Sequence, residues 1–479
     1  MTENRAASPT LVRARIGAGW IDNDQLDEVR DPYRGEVVGL APRSTQAHLD
    51  AALDAAVHAR ARVAAMPPYE RAALLRRIAD RLADKSEAIA VAMTRETGKA
   101  LADSRVEASR APDTLRLCAE EAVRIQGEHV PMDFNALGAG KLAVQLRKPV
   151  GVVAAITPFN APVNLAIHKI GPALAAGNPI VIKPSPKAPI AFHLMIEAIV
   201  EAGTPAGFVN AVYGDAIATR LVSDDRVDFV TFTGSTRVGK LIRESAGLKR
   251  VALELGGVAP TIVHEDADLK LAAVACARNA MLLAGQSCVS VQNIMVHESV
   301  RNAFTDMVTA EVSKIRFGDP MDPSVEVGTL IDEASACRVA AMVEAASREG
   351  AKVLTGGGRT GAALQATLLA DVQPGMTIAR DEIFGPVASI VSYQDIHQVF
   401  RWISDSRHGL QCGVYTRSIG IAMAASRSLR MGGIIINGTS RWRSDQMPYG
   451  GVKDSGIGRE GPHYAIRDMT DETLLVIND

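Results

Sequence analysis

From Val150 onward the chain alternates short β-rich runs with helical stretches, and that alternation restricts the fold more than any other feature. The runs 150–156, 180–182, 209–212, 229–232 and 261–263 are strand-length and rich in Val, Ile and Phe. Helical patterns over 163–176, 188–203, 215–223 and 236–246 lie between them. Strands joined each time by a helix form right-handed βαβ units, so this region predicts an open, mostly parallel sheet. The pattern starts again after Glu254. A helix over 268–285, a strand over 291–297, helices over 298–314 and 333–349, and strands near 352, 388 and 412 predict a second α/β domain. Two or three domains also suit a chain of 479 residues, which exceeds one ordinary hydrophobic core.

Ahead of the first sheet, 45–65, 69–95 and about 99–126 place Ala and Leu at helical spacing between charges. Residues 141–148 alternate apolar and polar, as a half-exposed strand does. The final run 473–477 is a strand with no sequence-local partner, an edge that pairs with another subunit or with 141–148.

Charge and cysteine usage narrow the function classes. A net charge of −2 gives no basis for binding nucleic acid or a membrane surface. The apolar runs are strand-length, far short of a membrane span. Met1 to Thr10 is polar and lacks the apolar core of a signal peptide, so the cytoplasm is the expected location. The five cysteines are scattered and show no CxxC or Cys/His spacing, which points to a reducing compartment and to no metal site. Cys118, Cys276 and Cys337 sit in helical patterns and Cys412 in an apolar strand, where thiols pack as small hydrophobes.

Cys288 differs. It follows Gly285-Gln286-Ser287 at an irregular junction between a helix and a strand, 34 positions after Glu254 (288 − 254). A thiolate is a nucleophile, and a nearby carboxylate can activate it or activate the water that releases a product. Glu254 ends an apolar run and precedes Leu255 and two glycines. A carboxylate among Val, Ala and Leu suits general-base work; the same residue paired with an arginine would be structural. Asn160 lies in a Pro-rich turn after the strand 150–156, as an oxyanion donor or as an Asx-turn residue beside Pro162. Lys183 ends a strand at the carboxyl edge where α/β sheets bind ligands, and reads as a ribose donor or as a solvated lysine. Phe232-Thr-Gly-Ser-Thr-Arg-Val-Gly239 follows a β-run and opens a helix, which lets the N–H groups at Gly234 and Ser235 face a pyrophosphate. Such turns also occur without a ligand. Glu382, beside Phe384, Gly385 and Pro386, reads as a ribose acceptor or as a solvated acid.

Taken together, the Pro-Phe-Asn160 turn, Lys183, Phe-Thr-Gly-Ser235, Glu254-Leu-Gly-Gly, Gly-Gln-Ser-Cys288, Glu382-Ile-Phe-Gly-Pro and Pro448-Tyr-Gly-Gly-Val-Lys-Asp-Ser-Gly456 resemble the aldehyde dehydrogenase superfamily in identity and order. The resemblance runs from Asp31-Pro-Tyr-Arg-Gly-Glu36 to the terminal strand. Around 167–171 and 446–450 the chain is most similar to the branch of lactaldehyde, non-phosphorylating glyceraldehyde-3-phosphate and phosphonoacetaldehyde dehydrogenases.

The resemblance implies a Rossmann-like cofactor domain over 1–122 and 146–253, a catalytic α/β domain over 254–463, and a small β oligomerisation element over 123–145 and 464–479. It implies oxidation of a small polar or anionic aldehyde to its acid with NAD or NADP, in a homodimer or homotetramer. Cys288 is then the nucleophile that forms a thiohemiacetal and a thioester. Asn160 and the Cys288 N–H hold the oxyanion, Glu254 activates the hydrolytic water, and Lys169 assists proton transfer. Lys183 and Glu382 bind the two riboses and Ser235 the pyrophosphate, while Phe159 and Phe384 line the nicotinamide region. Thr157, Ser185, Gly234 and Leu255 fall within the same cofactor motifs. Pro186 stands where many NAD-preferring members carry a ribose-binding Glu, which removes a repulsion against a 2′-phosphate that Lys187 beside it could attract, so the implied cofactor is NAD or NADP. Asn293 replaces an Arg frequent in that branch, while Arg441 and Arg443 precede the Pro448 motif and are the candidates for selecting an anionic substrate. A CoA-acylating enzyme generally lacks the base glutamate, so Glu254 argues against it; a non-enzymatic scaffold on this fold is the remaining alternative.

Overall fold

The computed structural model describes residues 8–478, so most of the polar N-terminal stretch read above lies outside the described residues. Two large sheets carry the molecule. The first runs in the order Gly456–Ile457, Arg250–Glu254, Phe229–Thr233, Val153–Ile156, Ile180–Lys183, Val209–Ala211, Ala14–Ile16, Gly19–Ile21. Its five central strands are parallel, as the βαβ pattern requires. Chain order reverses between Val153–Ile156 and Phe229–Thr233, so a crevice opens beyond their carboxyl ends. The second sheet is Lys352–Thr355, Thr367–Ala370, Val387–Tyr393, Asn293–His297, Thr261–Val263, Gln411–Tyr415, Gly433–Ile436. Only its first pair is antiparallel. Among the described residues no helix is long and apolar enough to cross a membrane.

The terminal strand, Thr470–Ile477, pairs within the chain. It lies antiparallel to Leu142–Pro149 from Thr470 opposite Pro149 to Ile477 opposite Leu142. The N-terminal strands Ala14–Ile16 and Gly19–Ile21 were not predicted. They are too short for a periodicity, and they extend the first sheet, Ala14–Ile16 pairing antiparallel with Val209–Ala211 and Gly19–Ile21 antiparallel with Ala14–Ile16.

Two helix readings and one cysteine reading need correction. The helix read over 69–95 is two, Pro68–Asp84 and Ser86–Thr97. Lys85 leaves helical geometry between them and sends its ammonium to Glu197 at 3.3 Å and Glu201 at 2.7 Å. The helix read over 268–285 ends at Met281, because Leu283 and Ala284 turn left-handed at φ 60° and 50°. Cys337, read as a packed thiol, is exposed on the helix Glu333–Arg348, whereas Cys118, Cys276 and Cys412 are buried as read.

The first helices after the sheet strands borrow their caps from the N-terminal helices. Asn164–Ala176 has no side-chain cap of its own; Glu107 accepts from the N–H groups of Val163 and Asn164 at 2.9 and 3.1 Å. Glu96 does the same for Ile190 and Ala191 at 2.7 and 2.9 Å, and burial pushes its carboxyl up to about 8. Such carboxylates satisfy orphan helix donors and meet the positive end of the helix dipole. Glu107 also pairs with buried Lys99. Glu107→Ala leaves that ammonium and two helix N–H groups unpaired, and a loss of about 3–5 kcal/mol is expected in urea unfolding. A shift below about 1 kcal/mol would show that water replaces the carboxylate there.

Candidate active site

A cavity of about 730 Å³ occupies the crevice at the carboxyl ends of the first sheet. Every candidate residue read from the sequence lines it except Lys169, Arg441 and Arg443. Val153–Ile156 delivers Thr157, Phe159 and Asn160, Ile180–Lys183 delivers Lys183 and Ser185, and Phe229–Thr233 delivers Gly234 and Ser235. Glu254 ends its strand on the same wall, tied to the Gly234 turn by the Gly234 N–H, which donates to its carbonyl at 3.0 Å.

The second sheet contributes Cys288, Glu382 and Phe384. Three successive left-handed residues, Leu283, Ala284 and Gly285, swing the chain from the helix Leu269–Met281 into the thiol loop. Asp103 accepts from the Leu283 N–H at 2.8 Å, and the Asn160 amide donates to the Gln286 carbonyl at 2.8 Å. The Ile331 N–H donates to Gln286 Oε1 at 2.9 Å. Among the described residues no hydrogen bond occupies the Cys288 N–H. An amide nitrogen carries two hydrogens, so Asn160 keeps one beyond its tie to Gln286. The Cys288 Sγ lies 3.0 Å from the Tyr449 hydroxyl. Burial pushes the thiol up to about 11, against the pull of that hydrogen bond.

Glu254 is buried, and among the described residues its Oε2 has no partner. The arginine pairing considered for it does not form; Arg443 pairs with Glu460 at 3.0 Å instead. Burial, reinforced by the charge of Glu460, pushes the Glu254 carboxyl well above the usual range. Burial works against charge on Glu460 too, but Lys169, Arg443 and His168 outweigh it and hold that carboxyl at about 2. Lys169 sits outside the cavity, with its ammonium on Thr231, Thr233 and Glu460 at 3.2, 2.8 and 3.3 Å.

On the cofactor side, Lys183 is buried rather than solvated, donating to Asp215 at 2.5 Å and to the Pro184 carbonyl at 3.2 Å. Ser235 caps the helix Thr236–Ser245, whose N-terminus faces the cavity. Glu382 accepts from the Gly257 N–H at 3.2 Å, and burial lifts its carboxyl to about 7. A Cβ on Gly256 would lie 2.3 Å from Glu382 Oε2, so glycine there permits a close approach of two walls. Phe159 and Phe384 meet edge to face with centroids 6.0 Å apart. Lys187, expected to attract a 2′-phosphate, is paired with Asp332 at 3.1 Å. Asn293, on a strand of the second sheet, donates to the Ala379 carbonyl at 2.8 Å and lines no part of this cavity.

The two arginines before the Pro448 motif divide sharply. Arg443 is locked, its guanidinium on Glu460 and 3.2 Å from His168, and stacked on the Tyr449 ring. Arg441 makes no hydrogen bond or ion pair among the described residues, yet its charge is felt at Cys288, Tyr449 and Asp103. Sequence reasoning missed Asp103, Gln286, Tyr449 and Glu460. Tyr449 lay inside a motif already singled out, while Asp103 carried no signal in a helix full of charges.

The Aldehyde dehydrogenase family model matches residues 20–474. The 3-sulfolactaldehyde dehydrogenase of Priestia aryabhattai is 45% identical over 413 residues, covering 86% of this chain and 87% of that protein. Among solved structures, aldehyde dehydrogenase 21 of Physcomitrella patens in complex with the reaction product succinate superposes with TM-score 0.95 at 34% identity. The match covers 98% of this chain and 99% of that one. The NADP-dependent glyceraldehyde-3-phosphate dehydrogenase of Bacillus halodurans, complexed with NADP, gives the same TM-score, identity and coverage. The chain belongs to the aldehyde dehydrogenase family. With it the expected class of reaction is borne out: NAD(P)-dependent oxidation of an aldehyde to its acid.

Gly285 is where the two halves of the site touch. A Cβ there would lie 1.9 Å from the Gly385 carbonyl oxygen, and φ is +69°. Gly285→Ala forces the Cys288 and Glu382 loops apart, and a misplacement near 1 Å costs about 10²-fold in rate. A soluble variant with unchanged kcat/KM would show that the loops move independently.

Proposed function

We propose that this chain oxidises a small aldehyde with an anionic tail to the free acid, with Cys288 as nucleophile and Glu254 as base. The observation that carries the reading is Glu254: a buried carboxylate with an unpartnered oxygen, on the wall of the cavity that also holds the Cys288 thiol. Its pKa is raised by burial, which is how a carboxylate becomes a useful base near neutral pH.

The Cys288 sulfur adds to the aldehyde carbon, and the oxygen gains charge between the Cys288 N–H and the Asn160 amide. NAD(P)+, where bound, would supply the acceptor for the hydride that the thiohemiacetal carbon gives up in becoming a thioester. Glu254 takes a proton from water as the water oxygen attacks that thioester, and the thiolate leaves. Lys169, held on Glu460, acts on Glu254 through its charge rather than by touching substrate.

The residues present fit a nicotinamide dinucleotide. The crevice lies at the order reversal of the sheet, a helix N-terminus opens on it at Ser235, and buried Thr157 Oγ1 has no partner. Lys183 and Glu382 would hold the riboses, with Ser185, Gly234 and Leu255 shaping the adenosine and pyrophosphate ends. Phe159 and Phe384 would flank the nicotinamide. Pro186 removes one repulsion against a 2′-phosphate, but Lys187 is engaged by Asp332 and Asp215 adds a carboxylate, so both NAD and NADP are tested below.

Arg441 supports the anionic tail. It is the free one of the two arginines, near enough to Cys288 to act on it, and guanidinium forks match sulfonate, carboxylate or phosphate oxygens. The eight-stranded sheet, the seven-stranded sheet and the small sheet of Glu128–His129, Leu142–Pro149 and Thr470–Ile477 support a division into cofactor body, catalytic body and oligomerisation element, although Leu142–Pro149 runs past the boundary at 145 and Gly456–Ile457 joins the first sheet. Leu142, Leu146, Leu474, Leu475 and Ile477 expose apolar area on the small sheet, which supports a homodimer or homotetramer. All five cysteines are free, which supports a cytoplasmic setting.

A panel of sulfonated, carboxylated, phosphorylated and neutral aldehydes with NAD and NADP, without CoA, tests the reading; turnover that requires CoA would sink it. Arg441→Ala should lower kcat/KM for the charged aldehydes by about 10²-fold and leave neutral ones within a few-fold. Equal losses for both would remove the arginine from recognition, and activity retained in Cys288→Ala would remove the nucleophile.

Because Glu254 acts as its carboxylate and burial raises its pKa, the hydrolytic step gains rate as pH rises through that raised value and loses it as pH falls. Glu254→Gln should keep an initial burst of reduced cofactor while steady turnover drops by about 10²–10⁴-fold. A vanished burst with unchanged thiol reactivity would place Glu254 in the first half-reaction instead.

A further inference from the structure

Tyr449 takes part in no step above, yet its hydroxyl lies 3.0 Å from the Cys288 sulfur. Among the described residues that sulfur is its one hydrogen-bond partner. The ring is buried, and the Arg443 guanidinium covers one face with its carbon 3.9 Å from the ring centroid. Cation–π contact operates out to about 6 Å, so this cation bears directly on the phenol. Neither partner is loose. Arg443 is held by Glu460 at 3.0 Å, and Glu460 by Lys169 at 3.3 Å. Tyr449 and Glu460 also exchange backbone hydrogen bonds, at 3.1 Å and 2.6 Å. Hydroxyl, ring and cation thus form one rigid unit aimed at the nucleophile.

Resting on the reading of Cys288 as nucleophile, we propose that Tyr449 is a further catalytic residue, donating its hydroxyl hydrogen to the Cys288 sulfur whenever that atom carries negative charge. This happens twice: in the thiolate before attack, and when the tetrahedral intermediate of thioester hydrolysis collapses. In that collapse the C–S bond breaks, its electron pair goes to Sγ, and the water proton has already passed to Glu254. Tyr449 keeps its own proton and supplies only the hydrogen bond. Arg443, withdrawing electron density through the ring face, makes the hydroxyl a better donor.

The electrostatics agree with this division of labour. Burial, and the neighbouring sulfur, push the Tyr449 phenol well above its ordinary value despite Arg443, so the phenol keeps its proton and is the donor once the sulfur is ionised. At Cys288, burial with Glu382 and Glu254 opposes ionisation, while the Tyr449 hydrogen bond and Arg443 favour it. Arg441 adds a further positive charge within reach of both side chains. A hydrogen bond to an ionised atom is stronger than one to a neutral atom, so the contact stabilises the charged states more than the resting thiol.

The test is alkylation of Cys288 by neutral iodoacetamide in the full-length enzyme without cofactor, followed at that residue by peptide mass from pH 7 to pH 10. Tyr449→Phe should slow alkylation about tenfold along the whole ascending limb, as expected for one lost charge-assisted hydrogen bond. Removing a single oxygen widens the approach to Sγ, so a purely steric change would speed the reaction instead. Replacement of Tyr449 by 3-fluorotyrosine, which keeps the shape and strengthens the donor, should move the rate in the opposite direction. Alkylation unchanged or faster in Tyr449→Phe, or unchanged with fluorotyrosine, overturns the proposal. Dehydrogenase activity that survives complete alkylation of Cys288 overturns the parent reading alone.

Discussion

The left-handed turn at Leu283 and Ala284 decides where the thiol sits, and most of the site depends on it. For residues with a Cβ that conformation costs about 1–2 kcal/mol each, so it persists only where its surroundings fix it. Here they do. Asp103 from an N-terminal helix, Asn160 from the first sheet and Ile331 from the second body all bond to the segment 283–286. Gly285 then rests against the Gly385 backbone. Three parts of the molecule converge on one loop, and the strained turn is stable because each of them holds it. Cys288 inherits its position from that convergence rather than from its immediate neighbours.

A second dependence is electrostatic. Glu254 and Glu460 are buried carboxylates close enough to influence one another, and two such groups do not ionise equally. Lys169 and Arg443 settle the asymmetry by pairing with Glu460 alone. One carboxyl is therefore held as an anion, and the other is the group that takes a proton on the proposed reading. Pushing two pKa values apart by environment is how one site supplies both a fixed charge and a base. Arg443 is committed to this arrangement: withdrawing it would leave Glu460 short of a partner and weaken the asymmetry.

Much of this was legible in the chain. The two parallel sheets followed from the spacing of apolar runs, and the cavity residues from motifs at strand ends, because a strand fixes its terminal side chains at the sheet edge. What the sequence withheld were contacts set by tertiary packing. Leu283 and Ala284 are good helix formers, so nothing local announces that the helix breaks before them. Asp103 looks like any solvated acid on a helix surface until its carboxylate is found at the Leu283 N–H. Lys85 splits one predicted helix because Glu197 and Glu201, over a hundred residues away, draw its side chain outward. Lys187 looked free beside Pro186 because its partner, Asp332, belongs to the other body.

The two arginines show how such packing separates neighbours within one motif. Arg441 and Arg443 are two residues apart in an irregular loop, and composition gives no reason to separate their roles. Geometry does. Arg443 faces the buried cluster, where Glu460, His168 and the Tyr449 ring occupy it from three sides. Arg441 is left with a half-buried, unpaired charge near the thiol. A guanidinium in that state has lost water without gaining a partner, a cost that an incoming anion would remove. On the proposed reading, the charge offered to the tail and the charge stacked on the Tyr449 ring thus belong to different residues. On that reading a change at Arg441 alters substrate preference and also removes one of the positive charges near Cys288, while the stack of Arg443 on Tyr449 stays in place.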